Sequence, residues 1–170
     1  MRKITTYTAL ALCFFAFPLA ALTNFERVAL ADLAHSQASL EVRDAAGVAT
    51  VYAPKDLERL PTYRLATTTP WREEPAVFEG VLLRELLQAH GLADVPKIRV
   101  VAENDFVSVL ERAVWEDGQV LIATRVNGRP HSRRVRGPFQ FVVDADLYAT
   151  SDVLSEGHLV WSVALIEATD

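Results

Sequence analysis

Asn127 and Gly128 stand between two apolar runs rich in β-branched and aromatic residues, Leu121–Val126 and Phe139–Val143. Both residues tolerate the positive φ of a tight turn, so the pair predicts a hairpin whose first strand ends at Val126. The stretch that follows is basic. Arg125, Arg129, Arg133, Arg134 and Arg136 occur with His131, and no acid interrupts residues 125–136. Three roles fit such a segment. Guanidinium groups can grip a phosphate, sulfate or carboxylate through planar forks that lysine lacks. They can instead alternate along an edge strand, blunting further pairing while meeting surface acids such as Asp144 and Asp146. As a third role, they can offer a docking surface to an acidic protein or to anionic lipid headgroups.

The chain opens as an export signal does. Arg2 and Lys3 precede an apolar stretch from Tyr7 to about Leu22 that only Thr8 and Pro18 interrupt, the pattern of a secretory leader. Spanning a bilayer takes about 20 apolar residues, so a leader is favoured over an anchor. Leu19-Ala20-Ala21 places cleavage near Ala21, giving a leader over residues 1–21, a linker helix over 22–38 and a domain over 39–170. Cys13 is the single cysteine and lies in the leader behind bulky Leu12, which argues against lipid attachment. The mature chain then has no thiol and no disulfide, and its stability must come from its core. Its roughly 150 residues make one domain, a size that buries about 70% of the unfolded surface. Removing Arg2 and Lys3 leaves 15 basic residues against 22 acids, a net charge of −7. Nucleic acid is a poor partner for that balance.

Local patterns predict the elements. Phe25, Val28, Ala29 and Leu33 are spaced for a helix over Asn24–Gln37. Leu40–Arg43 and Val48–Tyr52 flank the turn cluster Asp44–Gly47 as a hairpin, and a short helix lies between Pro54 and Pro61. A strand from Tyr63 to Thr69 ends at Pro70-Trp71. From Gly80 the period becomes helical, with Leu82, Leu83, Leu86, Leu87 and His90 on one face and Gly91 as the stop. Strands over Lys97–Ala102, Phe106–Leu110 and Leu159–Ala168, a helical turn over Glu111–Glu116 and a loop with a short helix between Asp144 and Gly157 complete an α+β domain with mainly antiparallel strands.

Ile122-Ala-Thr-Arg-Val-Asn-Gly-Arg-Pro, Arg136-Gly-Pro-Phe-Gln-Phe-Val-Val, Val160-Trp161 with Ile166-Glu167, and upstream Val81-Leu-Leu-Arg-Glu-Leu-Leu keep an order and spacing that resembles the molybdopterin-binding domain of the sulfite oxidase family. The likeness spans residues 39–168 and implies a sulfite oxidase-like fold of mixed, mainly antiparallel sheets with a few covering helices. It also implies a molybdopterin site, in which a cysteine thiolate would bind molybdenum in the loop after the Tyr63–Thr69 strand. The matching segment reads Ala66-Thr-Thr-Thr-Pro-Trp71. A threonine hydroxyl is a hard donor, almost fully protonated at neutral pH, and does not replace a thiolate. By the same resemblance Val135, Arg136, Gln140 and Val160 replace a histidine, a glycine, an arginine and a lysine of the family pattern. Each replacement of a cationic or hydrogen-bonding group removes about 1.5–3 kcal/mol of charge-assisted bonding toward a pterin phosphate.

These readings converge on a binding or accessory module without a bound metal, one that takes an anionic small molecule or serves a membrane-bound sensor or redox protein. The candidate ligand-binding residues are Arg125, Asn127, Arg129, His131, Arg133, Arg134 and Arg136, joined by Trp71, Arg72, Thr68 and Thr69 at the mouth of the family's cofactor site. The alternative is a molybdenum-cofactor oxidoreductase with an unusual ligand set. His35, His90, His131 and His158 show no metal-ligand spacing, and neither a nucleophile elbow nor a glycine-rich phosphate loop occurs. Amino-terminal sequencing of the exported chain should start at Leu22; a mature chain that retains residues 1–21 would contradict the leader.

Overall fold

The computed structural model describes residues 24–117 and 119–170. The expected leader and Cys13 lie outside them. The described elements are β1 (Glu26–Arg27), β2 (Leu40–Arg43), β3 (Ala49–Tyr52), α1 (Pro54–Leu57), β4 (Thr62–Thr69), β5 (Arg72–Leu82), α2 (Leu83–Ala89), β6 (Lys97–Ala102), β7 (Val107–Glu111), α3 (Arg112–Glu116), β8 (Leu121–Val126), β9 (Arg129–Pro130), β10 (Gln140–Val142), α4 (Ala145–Thr150) and β11 (Val163–Thr169). They form two sheets. One runs β1-β4-β5-β8-β10 with β9 also on β8, and the other runs β3-β2-β11-β6-β7. Every pairing is antiparallel except β2 with β11.

Alternation sets which face each strand buries. Leu40 and Val42 of β2, Ile98 and Val100 of β6, Leu110 of β7 and Ile166 of β11 point inward, where they meet Val81, Ile122, Phe139, Phe141 and the α2 leucines in the main core. A smaller cluster of Leu65, Ala76, Phe78, Leu121, Ala123 and Val142 lies apart from it, partly covered by Phe25 and Tyr63. Helix α2 is the amphipathic element expected, with Leu83, Leu86 and Leu87 buried and Gly91 at φ +66 beyond its end.

Its start differs from expectation, because Arg72–Leu82 forms a strand that the sequence conceals. Glu73-Glu74-Pro75 has the composition of a loop. Pro75 is tolerated because it lies toward the hairpin end of β5, beyond the Phe78–Leu82 segment paired with β8, where no ladder bond from a second neighbour is needed. Gly80 is a strand residue at a register shift opposite Ala123. A Cβ there would stand 2.0 Å from the Ile122 carbonyl oxygen. Its glycine therefore permits the close approach of β5 and β8, and does not open the helix.

The helix expected over Asn24–Gln37 is also not formed. Beyond the two-residue β1, this segment lies as an irregular strap held by polar bonds. Val28 N donates to the Thr62 carbonyl at 2.9 Å, Asn24 Nδ2 to Asp144 at 2.8 Å, and Arg125 Nη2 to the Ala31 carbonyl at 2.8 Å. Arg125 is anchored below the strap by Glu58, with Nε 2.9 Å from Oε1, and Thr124 Oγ1 donates to the same carboxylate at 2.6 Å. Burial opposes ionisation of Glu58, but the bonds from Arg125 and Thr124, with positive charge nearby, outweigh it and hold the carboxyl below its ordinary range.

The Arg125 and Glu58 side chains are only 6% and 7% exposed, so removing one partner strands a buried charge. Glu58→Ala should cost about 3–5 kcal/mol in urea unfolding, and replacing both partners with apolar residues of similar volume should recover most of it. A loss below about 1 kcal/mol, the range of an exposed pair, would show the pair to be solvated.

Candidate functional site

Strand β8 carries two partners in succession along one edge. β9 pairs with its far end, Val126↔Arg129, and β10 with its near end, Ala123↔Gln140. The hairpin expected at Asn127-Gly128 is present, with φ of +52 and +69. After His131, whose amide still donates to the Thr124 carbonyl at 2.8 Å, the chain leaves the sheet. Ser132 caps a single helical turn over Arg133–Val135, Arg136 closes it at φ +77, and the chain rejoins β8 at Gln140. Arg133, Arg134 and Arg136 thus stand on an arm beside the sheet and do not alternate along an edge strand. Ser162 fastens the arm from β11's side, its Oγ donating to the Gly137 carbonyl at 2.7 Å and its amide to the Arg136 carbonyl at 3.2 Å.

The arm, the β4–β5 turn and the segment before β11 enclose a cavity of about 460 Å³ whose walls include Trp71, Arg72, His131, Arg134, Arg136 and Trp161. The Arg136 guanidinium lies over the Trp71 ring, 4.6 Å from its centroid, and 5.5 Å from that of Trp161. Stacking on aromatic faces leaves the N–H edge of a guanidinium available for a planar acceptor. Arg72 brings a second guanidinium, whose Nε is buried without a hydrogen-bond partner. His131 is 2% exposed. Its Nε2 is 2.8 Å from Gln140 Oε1, which makes Nε2 the protonated nitrogen and leaves Nδ1, also without a partner, as an acceptor. Burial pushes the imidazole's pKa down. The Gln140 bond opposes that shift and the charge of Arg72 adds to it, so the ring is neutral near pH 7 and the cavity's positive charge is that of its arginines.

The candidates separate into two groups. Trp71, Arg72, Thr69, His131, Arg133, Arg134 and Arg136 line the cavity. Arg133 does so already neutralised, its Nε and Nη2 bound to Glu103 at 2.8 and 2.7 Å and its Nη1 to the Gln37 carbonyl at 3.0 Å. Arg125 is spent on Glu58. Asn127 serves the turn, with Oδ1 accepting from the Val77 amide at 2.9 Å, and Arg129 is exposed on β9 outside the cavity lining. Thr68 faces a separate apolar pocket with Val142, Tyr148 and Leu159. The acids expected to pair with the arginines do something else: Asp144 caps α4 through the Asp146 and Leu147 amides, and among the described residues Asp146 forms no ion pair. Gln140 and Val135, which the resemblance sets at cofactor contacts, also line the cavity, as do Trp161, Phe78 and Val126, which the sequence does not point to. Trp161 belongs to a motif that reads as a plain strand, and its bridge to Gln140, with the Ser162 bonds to the arm, sets it there.

No protein-family model and no curated protein sequence matches the chain. Among solved structures, the crystal structure of the sulfane dehydrogenase SoxCD from Paracoccus pantotrophus is similar, with a TM-score of 0.62 at 15% sequence identity. The match covers 82% of this chain and 40% of that one, so this chain spans well under half of its neighbour's length. The likeness is one of fold. It agrees with the sulfite oxidase-like α+β arrangement that the sequence motifs imply.

A histidine held neutral by burial stabilises the fold above its unfolded pKa of about 6.5 and progressively less as pH falls through its depressed folded value. His90 and His158 are shifted down as well, each chiefly by burial, so the three act in the same direction. Thermal midpoints measured from pH 8 to pH 5 should therefore fall toward acid. The fall should be shallower in His131→Gln, and an identical slope in that variant would mean that His131 is solvated.

Proposed function

We propose that this chain is an exported binding module that holds an anionic small molecule with a flat organic part on a sulfite oxidase-like scaffold. One observation carries the reading: a stacked guanidinium, a second guanidinium with a bare Nε and a neutral imidazole with a bare Nδ1 share one cavity between two indoles. A carboxylate or phosphate would take the fork edges of Arg136 and Arg72, with Arg134 at the rim. A ring would lie against Trp71 or Trp161, and an N–H or O–H of the ligand would donate to His131 Nδ1. The basic, then apolar, amino-terminal run supports export. A membrane-bound sensor or redox protein is the partner class that this location favours.

Molybdopterin is the group that the family resemblance implies, and the metal's donor set does not fit here. The sequence holds one cysteine, Cys13, far from the segment that would ligate the metal. Of the three threonines there, Thr67 is committed to the backbone, accepting from the Ala145 amide at 2.9 Å, and Thr68 faces the other pocket. Only Thr69 reaches the arginine cavity, as a neutral hydroxyl. The function proposed is therefore binding without oxidoreductase chemistry.

Thermal unfolding with inorganic phosphate, sulfate and a pterin tests the site. A ligand at 100 times its dissociation constant should add about 2.7 kcal/mol. That gain should vanish in Arg72→Ala/Arg136→Ala but survive in Arg129→Ala. Equal stabilisation of all three proteins, or of none, defeats the proposal. Stoichiometric molybdenum in protein isolated from its native host would favour the oxidoreductase reading instead.

A further inference from the structure

Among the described residues, five of the six large hydrophobic side chains left exposed, Val48, Val51, Phe106, Val107 and Val109, belong to the sheet β3-β2-β11-β6-β7 or to its turns. Its inner face is core, whereas its outward side chains are all half-exposed or exposed, as the alternating burial of β2, β6 and β7 shows. The register aligns those outward residues in rows, two of which cross all five strands, while a third, Thr169, Lys97 and Glu111, crosses only β11, β6 and β7. One full row is Val51, Glu41, Leu165, Val101 and Val107; the other is Ala49, Arg43, Glu167, Arg99 and Val109. At about 4.8 Å per strand the face is about 24 Å wide. Apolar residues occupy both rims. The centre is a ladder of charges, with Arg43 bonded to Glu41 at 2.6 Å and to Glu167 at 3.0 Å, and Arg99 to Glu167 at 2.6 Å.

We propose that this face binds a second copy of the chain, sheet against sheet, about a two-fold axis that runs across the strands between the two rows. That operation exchanges the rows. It sets Glu41 over the other copy's Arg43 and Arg43 over its Glu41, Val107 over Val109, and Val51 over Ala49. Leu165 and Val101 meet Glu167 and Arg99, whose aliphatic stems cover them. Turning the axis parallel to the strands would put Arg43 over Arg99 and Glu167 over itself, so charge selects the first arrangement. An isologous contact requires a self-complementary patch of this kind, and aligned sheets pack face to face with their strands within about 30° of each other. The arginine cavity lies at the other sheet and takes no part.

Sedimentation equilibrium of the purified chain, in a concentration series reaching the millimolar range, should show a monomer–dimer equilibrium with no larger species. Val107→Glu/Val109→Glu should be monomeric throughout while keeping the wild-type circular dichroism and thermal midpoint, because both valines are more than 40% exposed. Glu41→Arg, which sets like charges across the axis, should raise the dissociation constant at least tenfold. A wild-type chain that is monomeric throughout, open-ended assembly, or a dimer that these substitutions leave intact would overturn the proposal.

Discussion

Gly137 lies so close to His131 that a Cβ on it would stand 2.3 Å from the His131 carbonyl oxygen. This contact draws the two ends of the arginine arm together and lets a chain that has left β8 return to the same edge a few residues later. Most of the cavity follows from it. The Gly137 carbonyl accepts from Ser162, which brings Trp161 alongside, and the preceding Arg136 is turned back over Trp71. The Gln140 that resumes the strand is also the residue that fixes the His131 tautomer.

The arginines show how one residue type divides its work according to what stands opposite. Arg125 meets a buried carboxylate and becomes a fixed part of the fold, pinning the amino-terminal strap. Arg133 meets Glu103 at the surface and ties the arm to the turn between β6 and β7. Arg72 and Arg136 meet aromatic rings and a neutral histidine, none of which cancels a charge. Positive potential therefore concentrates in the cavity of a chain whose net charge is −5, and binding in such a cavity depends on these few groups rather than on the overall field.

A sheet pair of this kind is specified by alternation and turn residues, which survive wide sequence change. Within it, Thr67 accepts from the Ala145 amide and so holds the start of α4.

Much of the architecture could be read from the sequence, because its signals are local. The Asn127-Gly128 turn, the leucine spacing of α2 and the alternation in β2 and β6 each depend on residues a few positions apart, and each element formed, with only the start of α2 displaced, to Leu83. The strand expected over Leu159–Ala168 begins only at Val163, and two further readings failed for one reason. Phe25, Val28, Ala29 and Leu33 have helical spacing, but Arg125 and Thr62 offer the strap bonds from residues distant in sequence. Gly80 looks like the start of the helix, but pairing with β4 and β8 makes it a strand residue. The basic character of the 125–136 segment was likewise legible in the sequence alone. Which arginines are free, which indoles face them and which nitrogen of His131 stays bare were decided only in the tertiary structure, since each depends on a partner brought from elsewhere in the chain: Glu58 and Glu103 to quench charge, Trp71 and Trp161 to stack, Gln140 to hold the imidazole.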